Sequence, residues 1–399
     1  MKAMENREPA MSKVEGRGSA GQHQGAVMKK GWTWKPLGEV CKTSSGGTPL
    51  SSRKEYYEGG NIPWLVSGEV AQGNVHEAKN FITKAGLENS AAKLFPKDTV
   101  LVAMYGATAG QVGILRFEAA TNQAVCGILP NDKFVPEFLF YFFLAKKDEL
   151  VAQATGNAQP NISQIKIKNT EVPVPPLAEQ QRIVGLLDEA FEGLANAKAN
   201  AEKNLQNARA LFESHLQSVF TQRGPGWVEK SFEDCIEDMK YTTKIQRKEF
   251  LEEGEFPIVS QEAEFTNGYW DNAADVFKVT RPVVIFGDHT QVLKYIDFDF
   301  VLGADGVKLL PPKPFLNPKF FFYALRSAPL KSLGYARHYR LLKELQIGYP
   351  DTNPQIAIAK KLDALSEETQ RLARLYSRKL AALEALKKSL LHQAFTGEL

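Results

Sequence analysis

Sliding the 399-residue chain against itself by 175 positions aligns residues 175–221 with 350–396 without a gap. Identities fall at Pro175/Pro350, Gln180/Gln355, Ile183/Ile358, Leu187/Leu362, Asp188/Asp363, Glu192/Glu367, Leu205/Leu380, Ala210/Ala385, Leu211/Leu386, Ser214/Ser389, Leu216/Leu391, Phe220/Phe395 and Thr221/Thr396. Upstream, PEFLFYFF (136–143) echoes PKFFFYAL (318–325), and WKPLGEVC (34–41) echoes WVEKSFEDC (227–235) with one residue inserted. A mixed globular segment followed by a long helix therefore occurs twice, which limits the chain to a duplicated architecture.

Both repeated stretches carry the apolar spacing of a helix. In the second, steps of four and three select Ile358, Leu362, Leu365, Thr369, Leu372, Tyr376, Lys379, Leu383, Leu386 and Leu390. The same register in the first selects Ile183, Leu187, Ala190, Leu194, Ala197, Ala201, Asn204, Ala208, Leu211 and His215. An Ala-rich stripe admits a Leu-rich one closely, so the spacing predicts an antiparallel two-helix coiled coil with Asn204 near Thr369. Asp351, Thr352, Asn353 and Pro354 start the second helix, while Gly224 and Pro225 stop the first. At ~1.5 Å per residue, each helix would run roughly 65 Å.

Short strand-like runs such as TVLVAMYG and RPVVIFGD, glycine turns and a few helices make the two globular segments α+β. The expected division is a disordered tail over 1–30, a first globular domain over 31–171, a spacer helix over 172–223, a second globular domain over 224–346 and a second helix over 347–399. Met28 is a plausible start of translation. Cys41, Cys126 and Cys235 are far apart in sequence and form no CxxC pair, and the six histidines show no ligand spacing, so no structural metal is expected. No apolar run reaches the ~20 residues of a membrane span, and a cytoplasmic location is expected.

No P-loop, nucleophile elbow or kinase signature is present, and Asn353-Pro354-Gln355 lacks the second proline and aromatic of an amino-methyltransferase motif. Binding chemistry is more visible. The first segment offers Tyr105, Thr108 and Gln111 in a glycine turn, then Asn122 and Gln123, then Asn157, Gln159, Asn161 and Lys166. The second offers Asp288, His289, Thr290 and Gln291 at the corresponding turn, then Arg337, His338, Tyr339, Arg340 and Lys343. Amides can read adenine edges, Arg and Lys can read guanine or hold phosphate, and amides at glycine turns can seat phosphates. These residues are the candidate DNA contacts. The net charge of +3 is too small to make that case by itself, so it rests on local clustering.

The order of parts, with PVPPLAEQQRI (173–183), PKDTVLVAMYGATAGQVGI (96–114), ATNQAV (120–125) and the terminal AFTGEL (394–399), resembles the DNA-specificity subunits of type I restriction-modification systems. The resemblance implies two target-recognition domains that each read one half of a bipartite double-stranded DNA site, with the helices as a ruler between half-sites. It further implies that the helices dock two modification subunits, which bring S-adenosylmethionine and methylate adenine, and that restriction subunits join to cleave. This chain would then be non-catalytic and bind no cofactor itself. The strong divergence between the two segments predicts an asymmetric target. A specificity subunit of another methyltransferase-type system, or a coiled-coil scaffold without DNA readout, is the alternative. The second helix start, YPDTNPQIAIA, departs from the first, PPLAEQQRIVG.

Overall fold

A computed structural model describes residues 31–153, 161–304, 306–334 and 336–399. The expected tail, Met28, Asn157 and Gln159 lie outside these residues. The chain forms two compact units that are discontinuous in sequence: one takes residues up to Asn196 together with Ala382–Leu399, the other Ala197–Ala381. Each unit thus includes part of both long helices, Leu177–Thr221 and Thr352–Thr396, whose ends fall on repeat-equivalent positions.

In the first unit, strand Trp34–Pro36 pairs antiparallel with Glu171–Pro173 and draws the ends of the globular segment together just before the first long helix. A five-stranded sheet runs Thr43–Ser45, Val125–Ile128, Val100–Ala103, Val112–Leu115, Asn74–Val75, and a four-stranded sheet runs Asn80–Ile82, Ile62–Leu65, Ala119–Thr121, Leu94–Phe95. Val100–Ala103 is buried throughout, which explains its unbroken apolar run. Helix Pro136–Ala145, with proline in its first turn, packs against strands Val100–Ala103 and Val112–Leu115. Its Phe138 and Phe142 rings each lie 5.3 Å from Phe395 of the second long helix, in a core shared with Ile183 and Leu187. The two helices run antiparallel here: Arg182 donates to the Leu399 carbonyl, and Lys387 sits over the Phe191 ring.

The second unit repeats the plan. Val228–Ser231 pairs antiparallel with Gln346–Tyr349, Val283–Gly287 lies between Leu293–Ile296 and Val307–Leu310, and helix Pro318–Ser327 packs on that sheet. Its Phe320 and Phe321 share a core with Phe212, Leu216, Phe220, Ala359 and Leu362.

Two polar brackets are repeated along with the fold. Buried Gln180 accepts the Val135 amide (2.9 Å) and donates to the carbonyls of Lys133 (2.8 Å) and Pro175 (2.9 Å). Buried Gln355 accepts the Asn317 amide (2.7 Å) and donates to Phe315 (3.0 Å) and Pro350 (2.8 Å). The second helix start therefore keeps a side chain that fastens it to its globular segment, although the surrounding wording has changed.

The helix stripe departs from the expected register. Ile183, Leu187 and Leu362 are buried, and Leu194, Ile358, Leu365, Leu372 and Leu383 are half-buried. Asn204 is exposed, and Leu211 and Leu386 are 53% and 47% exposed. Past Ala208 the buried stripe runs through Phe212, Leu216 and Phe220, and at the end of the second helix through Leu391, Ala394 and Phe395. A 3.5-residue step drifts against the 3.6-residue turn, and these last turns pack on globular cores, which capture the neighbouring face. Asn204 thus faces solvent rather than the seam, while Thr369 is buried and its hydroxyl donates to the Leu365 carbonyl at 2.8 Å.

Candidate nucleic-acid interface

In the first unit the hairpin Val100–Ala103/Val112–Leu115 closes through a turn with Gly106 (φ 70°) and Gly110 (φ 77°), conformations that favour glycine. A Cβ at Gly110 would also stand 3.0 Å from Lys147 and Val151. Tyr105 at the turn is exposed and forms a β-bridge with exposed Asn161, beside which the Ile162 amide donates to the Met104 carbonyl at 2.8 Å. Residues 56 apart in sequence are thereby brought to one surface. Thr108 donates to the Tyr105 carbonyl (3.2 Å), and Gln111 is half-buried with its carbonyl accepting the Ala103 amide.

Asn122 is largely committed to its own turn: its amide donates to Leu65 and its side chain accepts the Ala124 amide at 3.2 Å. Gln123 is exposed and accepts from the Thr48 hydroxyl. Lys166 donates to the Gln153 carbonyl.

The second unit joins the equivalent pieces. The His338 amide donates to the Asp288 carbonyl (2.7 Å) as Ile162 does to Met104, and the turn 288–291 lies beside the stretch 337–340. Gln291 takes a left-handed φ of 59°. Its side chain donates to the Lys331 carbonyl, and Thr290 is exposed.

Two expected DNA contacts are instead internal. His338 is 1% exposed: its Nε2 accepts the Leu333 amide (3.0 Å), so Nδ1 carries the proton and donates to the Asp288 carbonyl (3.0 Å). Asp288 is 3% exposed and accepts the Tyr339 amide at 2.8 Å. Both side chains lock the turn to the downstream stretch, because buried polar atoms must find partners. His289 is half-buried, its amide donating to Gln261 at 3.1 Å. Tyr339 packs edge-on against Phe232, and Lys343 pairs with Glu233 at 2.7 Å. Arg337 and Arg340 are exposed, and among the described residues neither forms an ion pair.

Sequence reasoning missed the residues beneath these turns. Lys294 is 4% exposed in strand Leu293–Ile296, and burial pushes its ammonium down to about 8. A lone lysine inside an apolar run was the available signal. The three thiols are free and buried, and burial raises Cys126 to about 12 and Cys235 to about 11, far from a reactive thiolate.

Residues 29–204 match the type I restriction modification DNA specificity domain. The chain is 28% identical to the type I restriction enzyme EcoR124I/EcoR124II specificity subunit of Escherichia coli, over 41% of this chain and 42% of the relative. It is 26% identical to the MjaIX specificity subunit of Methanocaldococcus jannaschii, over 58% of each. The alignments thus span about half the length of these two relatives. A third, the MjaVIII specificity subunit of the same archaeon, aligns over 94% of both chains at 20% identity. The fold matches a chain from a solved type I R-M system with a TM-score of 0.76 at 20% identity, covering 93% of this chain and 99% of that one. It also matches the HsdS subunit from Thermoanaerobacter tengcongensis, with a TM-score of 0.60 at 20% identity over 93% and 98%. No helix among the described residues is long and apolar enough to cross a membrane.

Proposed function

We propose that the chain is the sequence-reading, non-catalytic subunit of a cytoplasmic type I restriction-modification enzyme, binding a bipartite and asymmetric double-stranded DNA site. One observation carries the reading: each unit joins a hairpin turn to a downstream polar stretch by an equivalent backbone bond, Ile162 to Met104 and His338 to Asp288. The scaffold is repeated while the displayed side chains differ, with Tyr105 and Asn161 in one and Arg337 and Arg340 in the other. Amides and tyrosine suit base edges, and arginines suit guanine or phosphate, so the two units would read different half-sites.

Adenine methylation and cleavage then belong to partners: two modification subunits carrying S-adenosylmethionine, and restriction subunits that join them. The two long helices would set the spacer between half-sites. Incubating the chain with DNA and S-adenosylmethionine, with and without a modification subunit, tests this division. Methylation only in the mixture, at a two-part motif, is expected; methylation by the chain alone overturns it. Removing equal numbers of turns from both helices should change the spacer and leave the half-sites intact.

A further inference from the structure

Strand Ile62–Leu65 pairs antiparallel with Asn80–Ile82 and parallel with Ala119–Thr121, and strand Phe256–Val259 pairs in the same two ways with Gly268–Trp270 and Phe300–Gly303. The loops that follow these equivalent strands, 66–79 and 260–267, differ in length and in what holds them. The first is longer and is held by buried Glu69, which accepts the amides of Val66 and Lys79 at 2.9 Å each. Its short helix Ser67–Gln72 packs against the turn helix Gly106–Thr108. The second is held by a buried cation instead.

Lys294 donates from below to the carbonyls of Glu264 and Phe265 (3.4 Å) and to the Asn267 side chain (3.2 Å), so its three N–H groups meet three acceptors. The neck of the loop is closed by Asn267, whose side-chain oxygen accepts both the amide (2.8 Å) and the hydroxyl (2.9 Å) of Ser260. Gln261 ties this loop to the turn 288–291: its side-chain oxygen accepts the His289 amide (3.1 Å) and its carbonyl accepts the Thr290 hydroxyl (2.5 Å). A Cβ at Gly306 would come within 2.6 Å of that side-chain oxygen, and one at Gly287 within 2.9 Å of the Gln261 Cβ. Gln261 therefore sits in a cradle that only two glycines leave open.

We propose that loop 260–267 is a base-reading element of the second unit, with Glu264 and Phe265 as the readers and Lys294 and Gln261 as the positioning residues. Burying an ammonium is costly, and a connecting loop does not need it; a reading loop does, because ordering it in advance removes the entropy cost from binding. The side chains the clamp leaves outward fit the task. Phe265 is 50% exposed, its ring resting 5.9 Å from Phe298, and Glu264 is exposed. A carboxylate is repelled by phosphates but accepts from the amino group of cytosine, and an aromatic edge contacts the thymine methyl.

The inference rests on the proposed function, and one selection experiment separates the two. The chain, assembled with a modification subunit, is presented with random double-stranded DNA, and bound sequences are read for wild type, Glu264→Ala, Phe265→Ala, Lys294→Met, Gln261→Ala and Arg337→Ala. Arg337→Ala identifies the half-site of the second unit. The surface variants Glu264→Ala or Phe265→Ala should then lose about tenfold discrimination at one base pair of that half-site. Lys294→Met and Gln261→Ala should relax the same base pair, with the other half-site unchanged, and combining Lys294→Met with Phe265→Ala should add little. A wild-type complex that selects no motif overturns the function and the inference together. A selective wild type whose preferences survive both surface changes overturns the inference alone, as does relaxation of both half-sites by Lys294→Met.

Discussion

The Tyr323 hydroxyl donates to Asp363 at 2.6 Å, and its repeat counterpart Tyr141 donates to Asp188. In both cases burial is the main cause that raises the phenol, followed by the adjacent carboxylate, so the proton stays on tyrosine across the physiological range. Each bond joins the globular helix to a long helix within its own unit. Tyr323→Phe and Tyr141→Phe should each destabilise the protein by about 1.5–3 kcal/mol, the worth of a hydrogen bond to a charged acceptor. Chemical denaturation measures the loss, and a change near zero would show that the bond is decorative.

Gln180 and Gln355 should matter more. Each is fully buried and satisfies one amide and two carbonyls, so a leucine removes the partner of three backbone groups. Gln355→Leu and Gln180→Leu are each expected to cost about 2–4 kcal/mol in denaturant melts. Equal losses at both sites would confirm that the degenerate second helix start keeps the same fastening.

Lys294 gives a pH signature. Its ammonium is lowered from 10.5 to about 8, so the folded chain holds that proton less tightly than the unfolded chain. Folding bears the full penalty below about pH 8 and sheds it as the pH rises toward 10.5. Measured against Lys294→Met, wild-type stability should rise by about 2–3 kcal/mol between about pH 7 and pH 10. A flat difference would mean that the ammonium is solvated.

His338 and its neighbours should separate in their effects. His338→Ala removes a buried ring that bridges Asp288 and Leu333, and should cost about 2 kcal/mol of stability. Arg337→Ala and Arg340→Ala should leave thermal melting unchanged while weakening binding through one half-site only. Equal weakening at both half-sites would assign the arginines to general phosphate contact.

The duplication, the long helices and the α+β segments were legible in the sequence because periodicity and repetition report backbone plan directly. The exposed parts of the candidate site, Tyr105, Asn161, Arg337 and Arg340, were legible as polar clusters. His338 and Asp288 were misread because each sits in a polar run, 337–340 and 288–291, and such a run does not reveal which side chains face solvent and which lock a turn from inside. Leu211 and Leu386 were misassigned because a heptad step extended to the helix ends ignores the globular core that captures the last turns. Gln261 and Lys294 were invisible as a pair, since their partners lie about 30 residues away in sequence.

Two differently furnished units on one repeated scaffold should read two different half-sites. Selection from random double-stranded DNA by the chain assembled with a modification subunit tests it most directly. The account predicts enrichment of two unlike half-sites separated by a fixed number of unspecified base pairs; enrichment of nothing, or of a palindrome, would contradict it.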